Sequence, residues 1–159
     1  MTSKKKISGG FTLAELLIVI MFLVIGSAVV IPYASGISES QSQAAARIIA
    51  TDLEYAHELA IASCQDVIVQ FDCPNKTYSL SYQSGVVNHP ITKKEYIVDM
   101  NTDHSLNEVI ISTGFYGDSI TFDSTGAVDD DEKITLTSGS QVYYVEIDGA
   151  SGNIVVNRK

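Results

Sequence analysis

From Phe11 to Ile31 the chain runs almost without a polar side chain, and one carboxylate, Glu15, stands near the start of that run. Its twenty-one residues make about 31 Å of helix, enough to cross the hydrocarbon core of a bilayer. A charged side chain inside such a segment costs roughly 2.5–3.5 kcal/mol on insertion scales, so a carboxylate kept there signals a task. Lys4-Lys5-Lys6 and the pair Gly9-Gly10 come directly before the run. A secretory signal would carry its cleavage site after a shorter apolar stretch. Here the glycine pair precedes the stretch, so a cut at that point leaves the apolar helix on the mature chain. Lysines before the span and acids beyond it orient the N-terminus to the cytoplasm and the rest outside.

The remainder is acidic. The net charge is −9, and three of the ten basic residues lie in the first ten positions, so beyond them seven Lys/Arg face nineteen Asp/Glu, a net −12. Affinity for nucleic acid comes largely from basic residues that displace phosphate counterions, and this balance argues against such a partner. Cys64 and Cys73 are the two cysteines, and the exported compartment permits a disulfide. Gln65 to Asp72 reads as a strand, however, and nine extended steps span about 30 Å, far beyond disulfide reach. Two free, partly buried thiols are expected. No spacing fits a zinc site, and no metal or other cofactor is expected.

The pattern divides the chain into a leader (1–10), a transmembrane or assembly helix (11–32), an amphipathic helix (33–64) and a β domain (65–159). Pro32 lacks a backbone donor and clashes with the preceding turn, which predicts a kink or local melting of the helix. Residues 35–42 are polar, either a hinge or helix held by packing. Ala45, Ile49, Leu53, Ala56 and Ala60 then form one apolar stripe at helical spacing, with Asp52, Glu54 and Glu58 mostly off it. Strands are expected at 67–72, 77–82, 95–99, 109–112, 120–122, 134–137, 141–147 and 153–157. Cys73-Pro74-Asn75-Lys76 makes the first hairpin turn, and the last two strands form a second hairpin. Asp123-Ser124-Thr125-Gly126 is a turn whose glycine supplies positive φ. One helix followed by a run of strands indicates an α+β domain with a mainly antiparallel sheet.

The order Lys4-Lys5-Lys6, Gly9-Gly10-Phe11, then Thr12-Leu13-Ala14-Glu15-Leu16 resembles the processing site of type IV prepilins and type II secretion prepseudopilins. The resemblance implies that a prepilin peptidase cuts between Gly10 and Phe11 and methylates the new terminus on Phe11. It implies that Glu15 pairs with the Phe11 amine of a neighbouring subunit and so sets axial register. The competing reading leaves Glu15 protonated or reaching to the interface. Pro32 also matches a proline of that family's first helical segment.

Further along, Ile120 to Gly126, the closing Gly152-Asn153-Ile154-Val155-Val156 and the helix segment Asp52 to Ile61 resemble the GspH/FimT group of minor pseudopilins and minor pilins. His57 stands where that group commonly has Arg. Residues 83–118 carry no such likeness. The implied protein is a structural minor pilin or pseudopilin of a type II secretion pseudopilus or type IV pilus, at its tip or initiation complex. It would be a single-pass inner-membrane protein with its C-terminal domain outside the cytoplasm. Its partners would be the prepilin peptidase, the membrane, and other pilins met through the N-terminal helix.

Two alternatives stand beside this: a DNA-binding or adhesive minor pilin, and a signal-anchored enzyme or binding domain that never assembles. No catalytic residue is assigned, because His57, His89 and His104 lie apart with no nucleophile motif around them. Asp129-Asp130-Asp131-Glu132 could attract a cation through oxygen ligands, but lacks a defined loop spacing and reads as a solvated turn.

Overall fold

The computed structural model describes residues 12–102 and 106–159, without the side chains of residues 28–39. The leader and the Gly10-Phe11 bond lie outside the described residues. A helix, α1, covers Leu13–Ser63. Nine strands follow among the described residues: β1 (Val67–Asp72), β2 (Thr77–Tyr82), β3 (Gly85–Val86), β4 (Ile97–Asp99), β5 (Ile110–Thr113), β6 (Ser119–Phe122), β7 (Glu132–Ser138), β8 (Gln141–Ile147) and β9 (Ile154–Arg158). The chain divides into two compact units, one up to Gly36 and one from Ile37 to Lys159. Residues 35–42 are helical, and the helix continues past Pro32, whose side chain lies outside the described ones.

The strands form two sheets rather than the single one expected. The first has the order β3-β2-β1-β6, with β4 also on β2, and the second has β5-β7-β8-β9. Every pairing among these strands is antiparallel. The hairpins β1–β2, β7–β8 and β8–β9 are local. The pairing of β1 with β6, Val69 opposite Ile120, closes a long excursion in which β5 leaves for the other sheet.

One core joins the second part of the helix to both sheets. The expected stripe of Ala45, Ile49, Leu53, Ala56 and Ala60 is buried, and Ala46 and Ala50 widen it. Five alanines on one face bring the helix axis close to its neighbours, and Ile49 and Leu53 fill the remaining depth. Opposite them stand Val67, Val69, Leu80, Ile120 and Phe122 from the first sheet and Ile134, Leu136, Val145 and Ile147 from the second. Alternation along β1, β7 and β8 assigns these side chains to the core face. Ser138, buried in this core, donates its hydroxyl to Gln41 Oε1 at 3.2 Å near the start of the packed helical segment.

Two aspartate-led turns seat the helix between the sheets. Asp123 Oδ1 accepts from Thr125 N and Oγ1 and from Ala127 N, and Asp148 Oδ1 accepts from Ser151 N and Oγ. Each turn carries a glycine at positive φ, Gly126 at +88° and Gly152 at +66°. His57 packs beneath both, with its ring edge-on to Phe122 at 5.8 Å. A Cβ on Gly126 would fall 2.5 Å from His57 Nε2, whereas one on Gly152 would fall 2.1 Å from the Gly126 carbonyl oxygen.

These two clashes differ in what can yield. Gly126→Ala and Gly152→Ala should each destabilise the full-length protein by roughly 2–4 kcal/mol. Adding His57→Ala should recover more of the loss for Gly126→Ala than for Gly152→Ala, whose Cβ would meet the Gly126 carbonyl oxygen as well as the His57 ring at 2.6 Å. Denaturant midpoints of the two pairs, measured in detergent, check this.

Candidate functional site

The N-terminal part of α1 opens on a capping box. Thr12 N and Thr12 Oγ1 both donate to Glu15 Oε2 at 2.9 Å, and Glu15 N donates to Thr12 Oγ1 at 3.2 Å. This reciprocal pattern satisfies donors that a helix start otherwise leaves open. Glu15 is therefore engaged within its own chain, a role that its Thr-x-x-Glu spacing carries and that the family resemblance does not supply. Beyond it the helix is apolar on all sides. Leu16 to Ile25 are all at least half exposed, and Phe22 is 70% exposed. Ser27 returns its hydroxyl to the Val24 carbonyl at 2.9 Å, so it presents little polarity outward. A helix that is apolar all round belongs in an apolar surround, lipid or other helices. Among the described residues no helix is long and apolar enough to cross a membrane. The described side chains of this run stop at Ser27, and the rest of it, to Ile31, lies beyond them.

The unit from Ile37 onward holds a second constellation, at the contact of α1 with β2. Asp52, one turn from Ala56 on the helix, accepts a hydrogen bond from the Tyr78 hydroxyl through Oδ2 and from the Tyr96 hydroxyl at 2.9 Å through Oδ1. Tyr96 stacks on Tyr55 of the helix with ring centroids 5.5 Å apart, and also lies against His89 at 4.8 Å. Burial, then the charge and hydrogen bond of Asp52, hold the Tyr78 hydroxyl far above the usual tyrosine range. The same causes raise Tyr96. By sequence Asp52 reads as an outward-facing acid because the stripe beside it is apolar. Tyr78 and Tyr96 lie too far along the chain for any local pattern to join them to it.

The other candidates are placed as follows. His57 is the packed histidine described above, not a group beside a nucleophile. His89 sits in the 88–95 loop, and His104 lies outside the described residues. Asp131 of the acidic run accepts the Gly149 amide at 2.8 Å and ties that run to the closing hairpin. Among the described residues no cluster of three His, Cys, Asp or Glu side chains could hold a metal ion. Neither cysteine is bonded to the other. Cys64 is exposed rather than partly buried, because it ends the helix at φ +53°, outside the packed face. Cys73 is half-buried, 3.8 Å from Thr113 Oγ1.

Comparison with solved structures finds this fold in pilin-type subunits. The minor pseudopilin EpsH from the Type 2 Secretion System of Vibrio cholerae aligns with a TM-score of 0.58 at 14% identity, over 74% of this chain and 97% of that one. The type IV minor pilin FimU of Pseudomonas aeruginosa aligns with a TM-score of 0.54 at 16% identity, over 72% and 91%. No protein-family model matches the chain, and no curated sequence relative does. The fold is that of minor pilins and pseudopilins, and it agrees with the likeness carried by the sequence motifs.

The Asp52 site has a definite pH signature. Both tyrosine hydroxyls titrate higher in the folded chain than in the unfolded one, so the unfolded chain gives up their protons first. Their contribution is fully present below the ordinary tyrosine value and is lost as pH rises above about 10. The urea midpoint of the full-length protein should fall on going from about pH 9 to about pH 11, by a slope that Tyr78→Phe reduces. Asp52→Ala, which strands two hydroxyls, should cost about 1–3 kcal/mol at neutral pH.

Proposed function

We propose that this chain is a structural minor pilin or pseudopilin subunit of a type II secretion pseudopilus or type IV pilus. The observation that carries the reading is a helix with two different hydrophobic habits on a minor-pilin-like fold. Leu13 to Ile25 expose apolar side chains on all sides, while Ala45 to Ala60 bury one stripe in the subunit's own core. The second half holds the domain, and the first half is left for lipid and then for the helices of neighbouring subunits.

In this reading a prepilin peptidase cuts between Gly10 and Phe11, and Phe11 becomes the methylated N-terminus. The chain begins in the inner membrane with its leader in the cytoplasm and its β domain outside, and later enters the pilus or pseudopilus. Pro32 kinks the membrane half. Glu15 serves twice. It closes the capping box of its own helix, and it offers a carboxylate to the Phe11 ammonium of a neighbour. An unpaired charge in an apolar surround is costly, so such a pair favours docking in one axial register. The tip or initiation complex is the proposed location.

Two measurements test the reading. Mass spectrometry of the protein from its native membrane should find a chain that starts at Phe11 and is one methyl group heavier. A retained leader would favour a signal-anchored protein that never assembles. Glu15→Gln separates the two roles of Glu15, because glutamine closes a capping box as glutamate does but carries no charge. The variant should be cut and methylated like the wild type, yet enter filaments with a loss of about tenfold or more. Normal assembly of Glu15→Gln would reduce Glu15 to a helix cap.

A further inference from the structure

Between β3 and β4 the chain leaves the first sheet sideways and comes back to the same point. Val87 N donates to Leu80 O, Leu80 N to Tyr96 O, and Tyr96 N to Val87 O, so the exit and the return meet at one residue of β2. Residues 88–95 form a finger that stands out from that edge. It is closed by the bridge between Asn88 and Glu95. His89 N donates to Lys94 O at 2.8 Å, and His89 Nδ1 accepts from Ile91 N and Thr92 N. His89 in turn lies on Tyr96, which is held by Tyr55 and Asp52 of the helix. The finger is thus built as a rigid projection. It presents Ile91, 83% exposed, with Lys93 and Lys94 beside it. Neither lysine has a side-chain partner among the described residues, whereas Lys133 is paired with Glu146 at 2.7 Å.

The opposite edge of the same sheet carries the complement. Against β6 lies a groove of about 510 Å³ with Phe115, Tyr116 and Val128 as its apolar side and Asp129, Asp130 and Glu132 as its acidic side. Tyr116 is wholly exposed there. The Glu132 carboxyl is pushed up by burial and by the nearby charge of Asp130.

We propose that the finger of one chain docks in the acidic groove of a second copy, with Ile91 against Phe115, Tyr116 and Val128, and Lys93 and Lys94 facing Asp129, Asp130 and Glu132. Because the two surfaces lie on opposite edges of one sheet, the contact is head-to-tail, and at a tip or initiation complex it joins one copy to the next rather than building an extended array. A single finger buries far less than the roughly 1,200 Å² of a stable independent interface. The contact therefore acts where membrane helices already hold the chains together and raise the effective concentration. In that respect it rests on the reading of the chain as an assembling subunit.

The test is carbodiimide coupling of the full-length protein in its native membrane, with the joined peptides read by mass spectrometry. Wild type should yield oligomers joined from Lys93 or Lys94 to the 129–132 segment, weakened by high salt. Lys93→Glu with Lys94→Glu should lower that yield about tenfold or more, and so should Asp129→Lys with Asp130→Lys. The chain carrying all four changes should regain it, now joined between the introduced carboxylates of the finger and the introduced amines of the groove. Because rescue is required, misfolding cannot imitate the result. Oligomers that are indifferent to either charge reversal, lysines coupled to a different protein, or four changes without recovery would each overturn the proposal. If Glu15→Gln impairs filament entry while no finger-to-groove joint forms, assembly through the helix stands and the finger contact falls. If the leader is retained and no oligomer forms, both fall.

Discussion

The alanine face of α1 is the constraint on which the rest of the domain depends. Ala45, Ala46, Ala50, Ala56 and Ala60 are buried against the strands with only Ile49 and Leu53 as larger side chains between them. A helix so smooth contributes modest apolar area per residue, about 25 cal/mol for each Å² removed from water. What it gains is proximity, which lets two sheets close over one helix. Interiors packed at crystal-like density tolerate little change in such a surface. Ala56 and Ala60 are fully buried, so an added methylene at either would have no free space to enter.

Smoothness alone would leave the helix free to slide or turn, since alanines mesh weakly with their holes. Asp52 removes that freedom. Its two oxygens take hydroxyls from Tyr78 on β2 and from Tyr96 at the base of the finger, so one carboxylate fixes both rotation and height. His57 does the same little more than one turn later, under Gly126 and Gly152. A rotation of the helix by one residue, about 100°, would withdraw both side chains from their seats. The apolar stripe holds the helix down, and these two polar groups determine where.

The parts of this architecture that are local in sequence are the parts that can be read from it. The buried stripe from Ala45 to Ala60 follows the helical period, and β1, β2 and β8 fall on the residues that alternation marks. The turn at Gly126 is legible because Asp123-Ser124-Thr125-Gly126 carries both the side-chain acceptor and the residue suited to positive φ. The split into two sheets is not, because it depends on β1 pairing with β6 and β5 with β7, partners chosen by the core rather than by neighbouring residues. Residues 83–96 show no period of two, so β3 and the finger leave no pattern to find. The capping box has a local signal, Thr12 three places before Glu15, but a charge in an apolar run points as readily to other chains as to its own helix start. The hydrogen bonds between Thr12 and Glu15 show the second of these directly.

The stack from Asp52 through Tyr96 to His89 links the core of the domain to its surface. Tyr96 is fixed by the helix through Tyr55 and Asp52, and it supports the 88–95 projection through His89. A side chain with two rigid contacts transmits position, since neither ring can move without losing area on both faces. The carboxylate that fixes the helix in its seat therefore also fixes the direction in which the projection leaves the sheet. Loosening Asp52 would free the tyrosine and the finger together. In an assembling subunit this arrangement lets a short loop of marginal contact area meet its target already oriented, with little conformational entropy left to lose.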